Sequence, residues 1–202
     1  MEFDEVLARR RMTRRFRPDP LPRPVLEVIL RAGTSAPSAG FSQGVDLFVL
    51  SEGASRRAFW EASSDASWRA RASTSAGLLA APVIVLPIAD PEAYSRRYRK
   101  ADKRGTRLFE VPTASWPTPF WLVDASFSTM AILLAATDLG VGALFFQLHA
   151  PEDAIKRALG IPEACRLIGG LALGYADATG PPASSSGRSR RALPDVVHEE
   201  KW

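Results

Sequence analysis

The chain has 202 residues, enough for one domain with a substantial core. Its 46% hydrophobic and 24% charged residues are ordinary for a globular protein, and a net charge of +4 is too small to indicate nucleic-acid binding. With one cysteine, Cys165, no internal disulfide can form, and two histidines without further cysteines predict no metal site. The first residues are acidic and lack an apolar run, so we expect no signal peptide, no membrane association and a cytoplasmic location.

Five arginines crowd the end of the first predicted helix. From Phe3 onward apolar residues recur at helical spacing, and continuing the helix at about 100° per residue brings Arg10 and Arg14 to the middle of the same face. Arginine on a core-facing side is rare unless an anion meets it, and two guanidinium groups one turn apart suit a phosphate. A second interpretation stays open, in which the helix stops near Arg11 and all five arginines are solvated.

The middle of the chain alternates helical and strand patterns. In order, the predicted elements are a helix over 25–33, a loop of small residues over 34–44, the strand Val45–Leu50, surface helices within 51–77, a strand over 81–88, a long helix over 120–139, a strand over 143–148, a short helix over 151–160 and a strand over 167–175. The 34–44 loop leaves backbone donors and hydroxyls free, which lets a backbone approach a flat or phosphorylated ligand closely.

Two further segments bear on function. Residues 90–119 mix basic and aromatic side chains, so we expect a mobile insertion that serves as a lid or substrate wall, with a solvated excursion as the alternative. Trp116 and Trp121 are candidate pocket walls or core residues. The uncharged run 125–137 predicts a buried helix, with Phe127 and Met130 on its retained apolar face. Residues 177–202 read as an extended tail.

Four blocks of sequence, in order, carry a resemblance to a known family. They are Arg-Arg-Met-Thr-Arg-Arg-Phe at 10–16, Ala-Pro-Ser-Ala-Gly-Phe-Ser-Gln at 36–43, Asp-Leu-Gly-Val-Gly-Ala at 138–143, and Arg-Arg-Ala-Leu-Pro-Asp-Val-Val-His at 190–198. Together they resemble the nitroreductase-like FMN-dependent oxidoreductases. The resemblance implies an α+β fold with a mixed, mostly antiparallel central sheet flanked by helices. It also implies one FMN-binding domain over 1–202, and a homodimer with two flavin sites at its interface.

The resemblance also implies which residues bind the cofactor. The opening and terminal basic groups would hold the flavin phosphate, and they are Arg10, Arg11, Met12 through its main chain, Arg14, and Arg190 or Arg191, with Arg188 nearby. A loop from the other subunit would line the ring edge, and its residues are Pro37, Ser38, Ala39, Phe41 and Gln43. The stretch of Phe145, Phe146 and Gln147 would lie beside the ring, with a backbone N–H reaching its N5 atom.

The chain departs from the family pattern at several positions. Met12 replaces a serine and Phe41 an asparagine, and the asparagine and lysine that many members use near the pyrimidine ring are missing, with Thr74 and Ser75 the nearest polar residues. Phe41 is similar to relatives that break down flavin to make the lower ligand of cobalamin. Those relatives carry an acid where Met12 stands, which argues against that reaction.

The function implied by the resemblance is hydride transfer from NADH or NADPH, through the flavin, to a small acceptor such as a nitroaromatic or a quinone. No side chain would act as acid or base, and no histidine here belongs to a serine–histidine–aspartate arrangement. Three alternatives stay open: a flavin or nucleotide binder without turnover, a specialised flavin-family reaction, and a nucleic-acid binder that uses the basic arms 9–17 and 188–191.

Overall fold

The structure is a computed structural model that describes residues 1–71, 76–179 and 188–201. Within them, the α-helices are α1 (Phe3–Arg9), α2 (Arg23–Thr34), α3 (Gly53–Ser63), α4 (Ala66–Arg69), α5 (Ala76–Leu79), α6 (Pro91–Tyr98), α7 (Phe120–Asp138) and α8 (Glu152–Leu159). The strands are β1 (Val45–Leu50), β2 (Val83–Ala89), β3 (Gly142–Phe146), β4 (Arg166–Leu167) and β5 (Gly170–Gly174). Single 3-10 turns lie at Ala39–Phe41, Ala101–Lys103, Thr113–Ser115 and Leu193–Asp195.

The strands form one sheet in the order β1-β2-β5-β3, and β4 also pairs with β2. Every strand pair is antiparallel. Among the described residues, the parallel pairing is a single bridge between Met12 and Ala143, where the segment after α1 runs beside β3. The predicted α+β class with a mostly antiparallel sheet is therefore confirmed.

Helices cover both faces of the sheet. On one face α2 and α7 pack against each other and over β2 and β5, and on the other face α3 packs with α8. Successive residues of a strand point to opposite faces. Val83 and Val85 accordingly pack on the face covered by α2 and α7. Ile84 and Leu86 pack on the face covered by α3 and α8. This two-sided burial explains why the whole of β2 is apolar.

Helix α7 is apolar on nearly all sides, and its length and composition alone would let it cross a membrane. In the fold, its inner face packs against α2 and the sheet, and Ile132 is fully buried there. The predicted buried helix is confirmed, but the predicted face is wrong, because Phe127 and Met130 are exposed. A helix with apolar residues around its whole circumference gives periodicity no means of choosing the buried side.

A third cluster joins the end of β2 to α6 and the first turns of α7, and its buried members are Ala89, Tyr94, Trp116, Trp121 and Ala125. The indole Nε1 of Trp116 donates a 3.0 Å hydrogen bond to the carbonyl of Val111. Both tryptophans are therefore core residues, as the alternative interpretation held. The aromatic side chains of the 90–119 segment turn inward and anchor it to α7.

The structure decides two boundaries. Helix α1 ends at Arg9, close to the end near Arg11 that the second interpretation gave it, so Arg14 does not share a helical face with Arg10. The strand predicted over 167–175 is divided into β4 and β5, because Gly169 between them has φ of 152°, which a residue with a Cβ rarely adopts. The ring of Phe145 also lies 2.5 Å from the point where a Cβ on Gly169 would stand.

Candidate functional site

The arginine-rich segment that follows α1 is extended and lies along β3. The N–H of Thr13 donates to the carbonyl of Ala143 at 2.9 Å, next to the Met12 bridge. Side chains alternate along an extended backbone. Arg10 and Met12 therefore face one cavity, while Arg11 and Thr13 face another, of about 570 Å³.

The arginines of this region fall into two groups, those that pair with a carboxylate and those that do not. Arg9 pairs with Glu5, Arg15 with Asp177 and Arg17 with Asp19, at 2.6, 3.6 and 2.9 Å. By contrast, Arg10, Arg11 and Arg14 have no carboxylate partner among the described residues. Arg11 donates instead to the carbonyl of Ala8 at 2.6 Å, and Arg14 reaches the carbonyl of Met12 at 3.4 Å. The three arginines of this segment that the resemblance assigns to the phosphate are therefore the three that have no carboxylate partner among the described residues.

The head–tail cavity has a volume of about 580 Å³ and joins the two ends of the chain. Its lining residues are Leu7, Ala8, Arg10, Met12, Met130, Leu133 and Arg190. Nη1 of Arg10 is buried and has no hydrogen-bond partner among the described residues. Arg190 is exposed, and Arg191 donates to the carbonyl of Asp195 rather than into the cavity.

The loop between α2 and β1 has a strained backbone. Gly40, Phe41 and Gln43 have φ of 60°, 58° and 49°, in the left-handed region that non-glycine residues seldom enter. Phe41 is also 74% exposed, which is unusual for so large an apolar side chain. Such strain persists only where surrounding contacts impose it, and it concentrates at binding sites.

This loop borders the loop cavity, of about 490 Å³. Its lining residues are Gly33, Thr34, Ser35, Ala36, Pro37, Ser38, Phe41, Gln43, Val45, Asp124 and Ser128. Asp124 is the one charged residue among them, and only 3% of it is exposed. Its Oδ2 accepts hydrogen bonds from the N–H of Ala39 at 2.8 Å and from the hydroxyl of Tyr94 at 2.6 Å.

The end of β3 borders another cavity, the strand-end cavity, of about 210 Å³. Its lining residues are Gln147, Leu148, Ala150, Glu152, Leu167, Ile168 and Gly169. The rings of Phe145 and Phe146 pack directly over the backbone of Gly169 and Gly170. These glycines allow the two rings to lie flat against the neighbouring strand.

The structure thus distributes the predicted site residues over separate cavities of one chain. It brings Arg10, Met12 and Arg190 together, and it places Pro37, Ser38, Phe41 and Gln43 around a different space. Arg11 faces away from Arg10. Thr74 and Ser75 lie outside the described residues, as does part of the predicted tail, 180–187.

Asp124, Tyr94 and Arg97, which hold the 37–43 loop or its partners, were not predicted from the sequence as site residues. Asp124 appeared only as the boundary of the apolar run in α7, although it follows Trp121 by three residues and lies on the buried face. A lone carboxylate at a core-facing helical position was the available signal. Burial, the hydrogen bond to Asp124 and the Asp124 charge raise the pKa of Tyr94 far above its usual value. Tyr94 therefore stays protonated and keeps its role as donor.

Comparison with known proteins agrees with this fold. The sequence profile of the Nitroreductase family matches residues 7–175. The chain is 37% identical over 86 residues to a candidate NADH dehydrogenase/NAD(P)H nitroreductase of Methanothermobacter thermautotrophicus, a match that covers 41% of this chain and 42% of that relative. It is 27% identical over 188 residues to a Thermus thermophilus protein named NADH dehydrogenase, with 87% of each chain covered.

Among solved structures, one from Clostridium difficile R20291 is named an FMN-dependent nitroreductase. It superimposes with a TM-score of 0.66 over 98% of both chains, at 19% identity. At that identity the likeness establishes the fold, an α+β sheet covered by helices. With the family profile matched over most of its length, the chain belongs to the Nitroreductase family.

Proposed function

We propose that this protein is an FMN-dependent oxidoreductase that transfers a hydride from NADH or NADPH to a small acceptor such as a nitroaromatic or a quinone. Membership of the Nitroreductase family supports oxidoreductase chemistry. The names of the relatives from Methanothermobacter and Thermus agree with a reduced nicotinamide as the electron donor. The name of the Clostridium difficile neighbour agrees with FMN.

One observation carries the proposal: Arg10 near the start of the chain and Arg190 near its end line the same cavity. Nη1 of Arg10 is buried there without a partner. A buried polar group without a hydrogen bond costs about 1–3 kcal/mol, and more when it is charged. A phosphate supplies both the missing acceptors and the opposite charge. The residues present therefore fit the phosphate of FMN.

When bound, FMN supplies hydride acceptance and release at its N5 atom. The chain's own residues would bind and orient it. Arg10 and Arg190 would neutralise the phosphate, the 37–43 loop would cover the ring edge and exclude water, and the Phe145–Gln147 stretch would flank the ring. In this proposal none of these groups has to move a proton.

A visible spectrum of the purified protein, offered FMN and then NADH or NADPH, tests the proposal. We expect a yellow protein whose flavin absorbance bleaches with one of the two donors and returns when a quinone is added. A preparation that stays colourless after incubation with FMN overturns the proposal. Bound flavin that neither donor bleaches would indicate a flavin binder without turnover. Salt-sensitive DNA binding without a chromophore would indicate the nucleic-acid binder.

The proposed enzyme is a homodimer, and the outer sides of α1 and α7 supply the apolar surface. Phe3 and Leu7 on α1 and Phe127 and Met130 on α7 are 65%, 40%, 49% and 41% exposed, and the two helices pack side by side. Leu7 and Met130 also line the head–tail cavity, so this surface reaches the proposed phosphate site. Contiguous exposed apolar side chains of this kind mark association surfaces.

A charge placed in this surface tests the dimer. Phe127→Asp should yield monomers in analytical ultracentrifugation and should weaken FMN binding, because the proposed site is completed by the second subunit. Val28→Asp is the matched control, since Val28 is equally exposed but lies on α2, away from this surface. A Phe127→Asp protein that sediments like the parent would contradict the assignment of the interface.

A further inference from the structure

The 38–43 loop is held by hydrogen bonds from two different elements. From α7, the carboxylate of Asp124 accepts the N–H of Ala39 at 2.8 Å. From α6, Nε of Arg97 donates to the carbonyl of Gly40 at 2.6 Å. These two bonds hold the N–H of Ala39 and the carbonyl of Gly40, at the start of the stretch that contains the left-handed positions Gly40, Phe41 and Gln43.

Both holding groups are themselves fixed. Tyr94 donates to the Oδ2 atom of Asp124 that also accepts from Ala39. The two terminal nitrogens of Arg97 bind both carboxylate oxygens of Asp102, at 2.9 and 2.6 Å, which leaves Nε directed at the loop. A guanidinium held in a two-point fork has little freedom left to lose, so its third bond is made at low entropic cost.

Contacts on the outer side of the loop reinforce these bonds. The ring of Tyr98 lies 2.9 Å from the point where a Cβ on Gly40 would stand, and Lys103 follows at 3.2 Å. Residue 40 therefore has to be glycine on steric grounds as well as for its φ of 60°. The left-handed conformation of the non-glycine residues Phe41 and Gln43 is unfavourable by itself. The loop therefore needs contacts of this kind to keep its conformation.

We infer that Asp124 and Arg97 are positioning residues, which hold the 38–43 loop from two sides in the conformation that meets the flavin ring. This inference rests on the proposed function for the identity of the ligand. In this arrangement the segment that begins with α6 also supports the loop. Asp124 and Arg97 act on the loop through hydrogen bonds to its backbone.

Amide hydrogen exchange on the cofactor-free protein tests the positioning itself. We expect Asp124→Ala to increase exchange in the loop peptide 36–43 by about tenfold or more, with exchange elsewhere unchanged. Asp124→Asn keeps an oxygen that accepts both hydrogen bonds and should stay within about threefold of the parent. Thr129→Val is the control, because Thr129 is buried five residues further along α7 and its hydroxyl donates to the carbonyl of Ala125 within the same helix.

Arg97→Lys provides a second variant that does not disturb the core. Lysine keeps the charge but cannot bind Asp102 through two nitrogens and still reach Gly40, so loop exchange should rise here too. Arg96→Lys is its control, because Arg96 pairs with Asp90 at the surface and does not contact the loop. Parent-like loop exchange in both Asp124→Ala and Arg97→Lys, or an increase spread evenly over the chain, overturns the inference.

Flavin affinities then connect the loop to the ring. Riboflavin carries the ring without the phosphate. Asp124→Ala should therefore weaken the binding of riboflavin and of FMN by the same factor, on the order of tenfold in Kd. Asp124→Asn should restore both. A loss confined to FMN would overturn the assignment of the loop to the ring. A parent protein that binds neither flavin refutes the proposed function, while the exchange experiment still decides whether these residues position the loop.

Discussion

Replacement of Arg10 by methionine should have opposite effects on the stability of the cofactor-free protein and on its affinity for FMN. The side chain lines the head–tail cavity beside Leu7, Met130 and Leu133, and its Nη1 is buried without a partner. Methionine keeps the apolar stem and removes the unsatisfied group. Because such a group costs about 1–3 kcal/mol, we expect the cofactor-free variant to gain on the order of 1 kcal/mol. For a domain of this size that is about 2–4 °C in Tm.

The affinity for FMN should fall at the same time. A hydrogen bond between charged groups contributes about 1.5–3 kcal/mol, so losing the contact to the phosphate should raise Kd about 10- to 150-fold. Riboflavin lacks the phosphate, and its Kd should change by less than about twofold, since a change under 0.4 kcal/mol is within the scatter of distant substitutions. The quenching of flavin fluorescence during titration of the cofactor-free protein gives both constants.

Arg9→Met is the matched control for Arg10→Met. Arg9 lies one position earlier, is exposed and pairs with Glu5, so its removal should change the Kd of FMN by less than about twofold. Equal losses of FMN affinity in the two variants would indicate general electrostatic attraction instead of a defined site. An Arg10→Met protein that is less stable without cofactor and binds FMN as the parent does would refute the reasoning.

Three further substitutions follow from the backbone and from Tyr94. Phe41→Gly should raise the free energy of unfolding in urea by about 1 kcal/mol, because glycine adopts φ of 58° without strain; a loss would show that Phe41 packs more than its exposure indicates. Gly169→Ala should lower it by about 2–3 kcal/mol, since the new Cβ would meet the Phe145 ring, and an unchanged urea midpoint would contradict this. The raised pKa of Tyr94 means that the folded protein holds this proton more tightly than the unfolded chain, so stability is retained below about pH 10 and declines as the pH rises beyond it. In thermal melts, the Tm of Tyr94→Phe should therefore fall less at alkaline pH than the Tm of the parent. Equal decreases in Tm would count against a buried, protonated Tyr94.

Local pattern was sufficient to predict much of the fold. The strand Val45–Leu50 and the helices over 25–33 and 151–160 correspond to β1, α2 and α8, because each combines one periodicity with clear end signals. The buried side of α7 could not be predicted, since its apolar residues surround the helix. The sequence left two ends for α1 open, and the one near Arg11 is close to the observed end at Arg9. Helical spacing continues through Arg10 to Arg14, but the backbone there pairs with β3, a long-range contact that no local pattern encodes.

The site was predictable in part for the same reasons. The resemblance identified the arginines and the loop as blocks of sequence, and the structure adds which of them face the same space. Arg10 and Arg11 are adjacent in sequence, yet the extended backbone sends them to opposite sides. The contacts to the loop could not be predicted, because Asp124 and Arg97 reach Ala39 and Gly40 across 85 and 57 residues of chain.

In the proposed homodimer, the presence of two separate cavities would link cofactor binding to assembly. Arg10 and Arg190 face the head–tail cavity, whereas Ser38 and Gln43 face the loop cavity, and the two are lined by different residues of one chain. In the proposed homodimer, a single FMN would take one group of residues from each subunit. A ligand held by two chains binds the dimer more tightly than the monomer, so FMN would strengthen dimerisation by the same factor by which dimerisation strengthens FMN binding. The proposal therefore predicts that the apolar surface on α1 and α7 and the unsatisfied Arg10 belong to one coupled equilibrium.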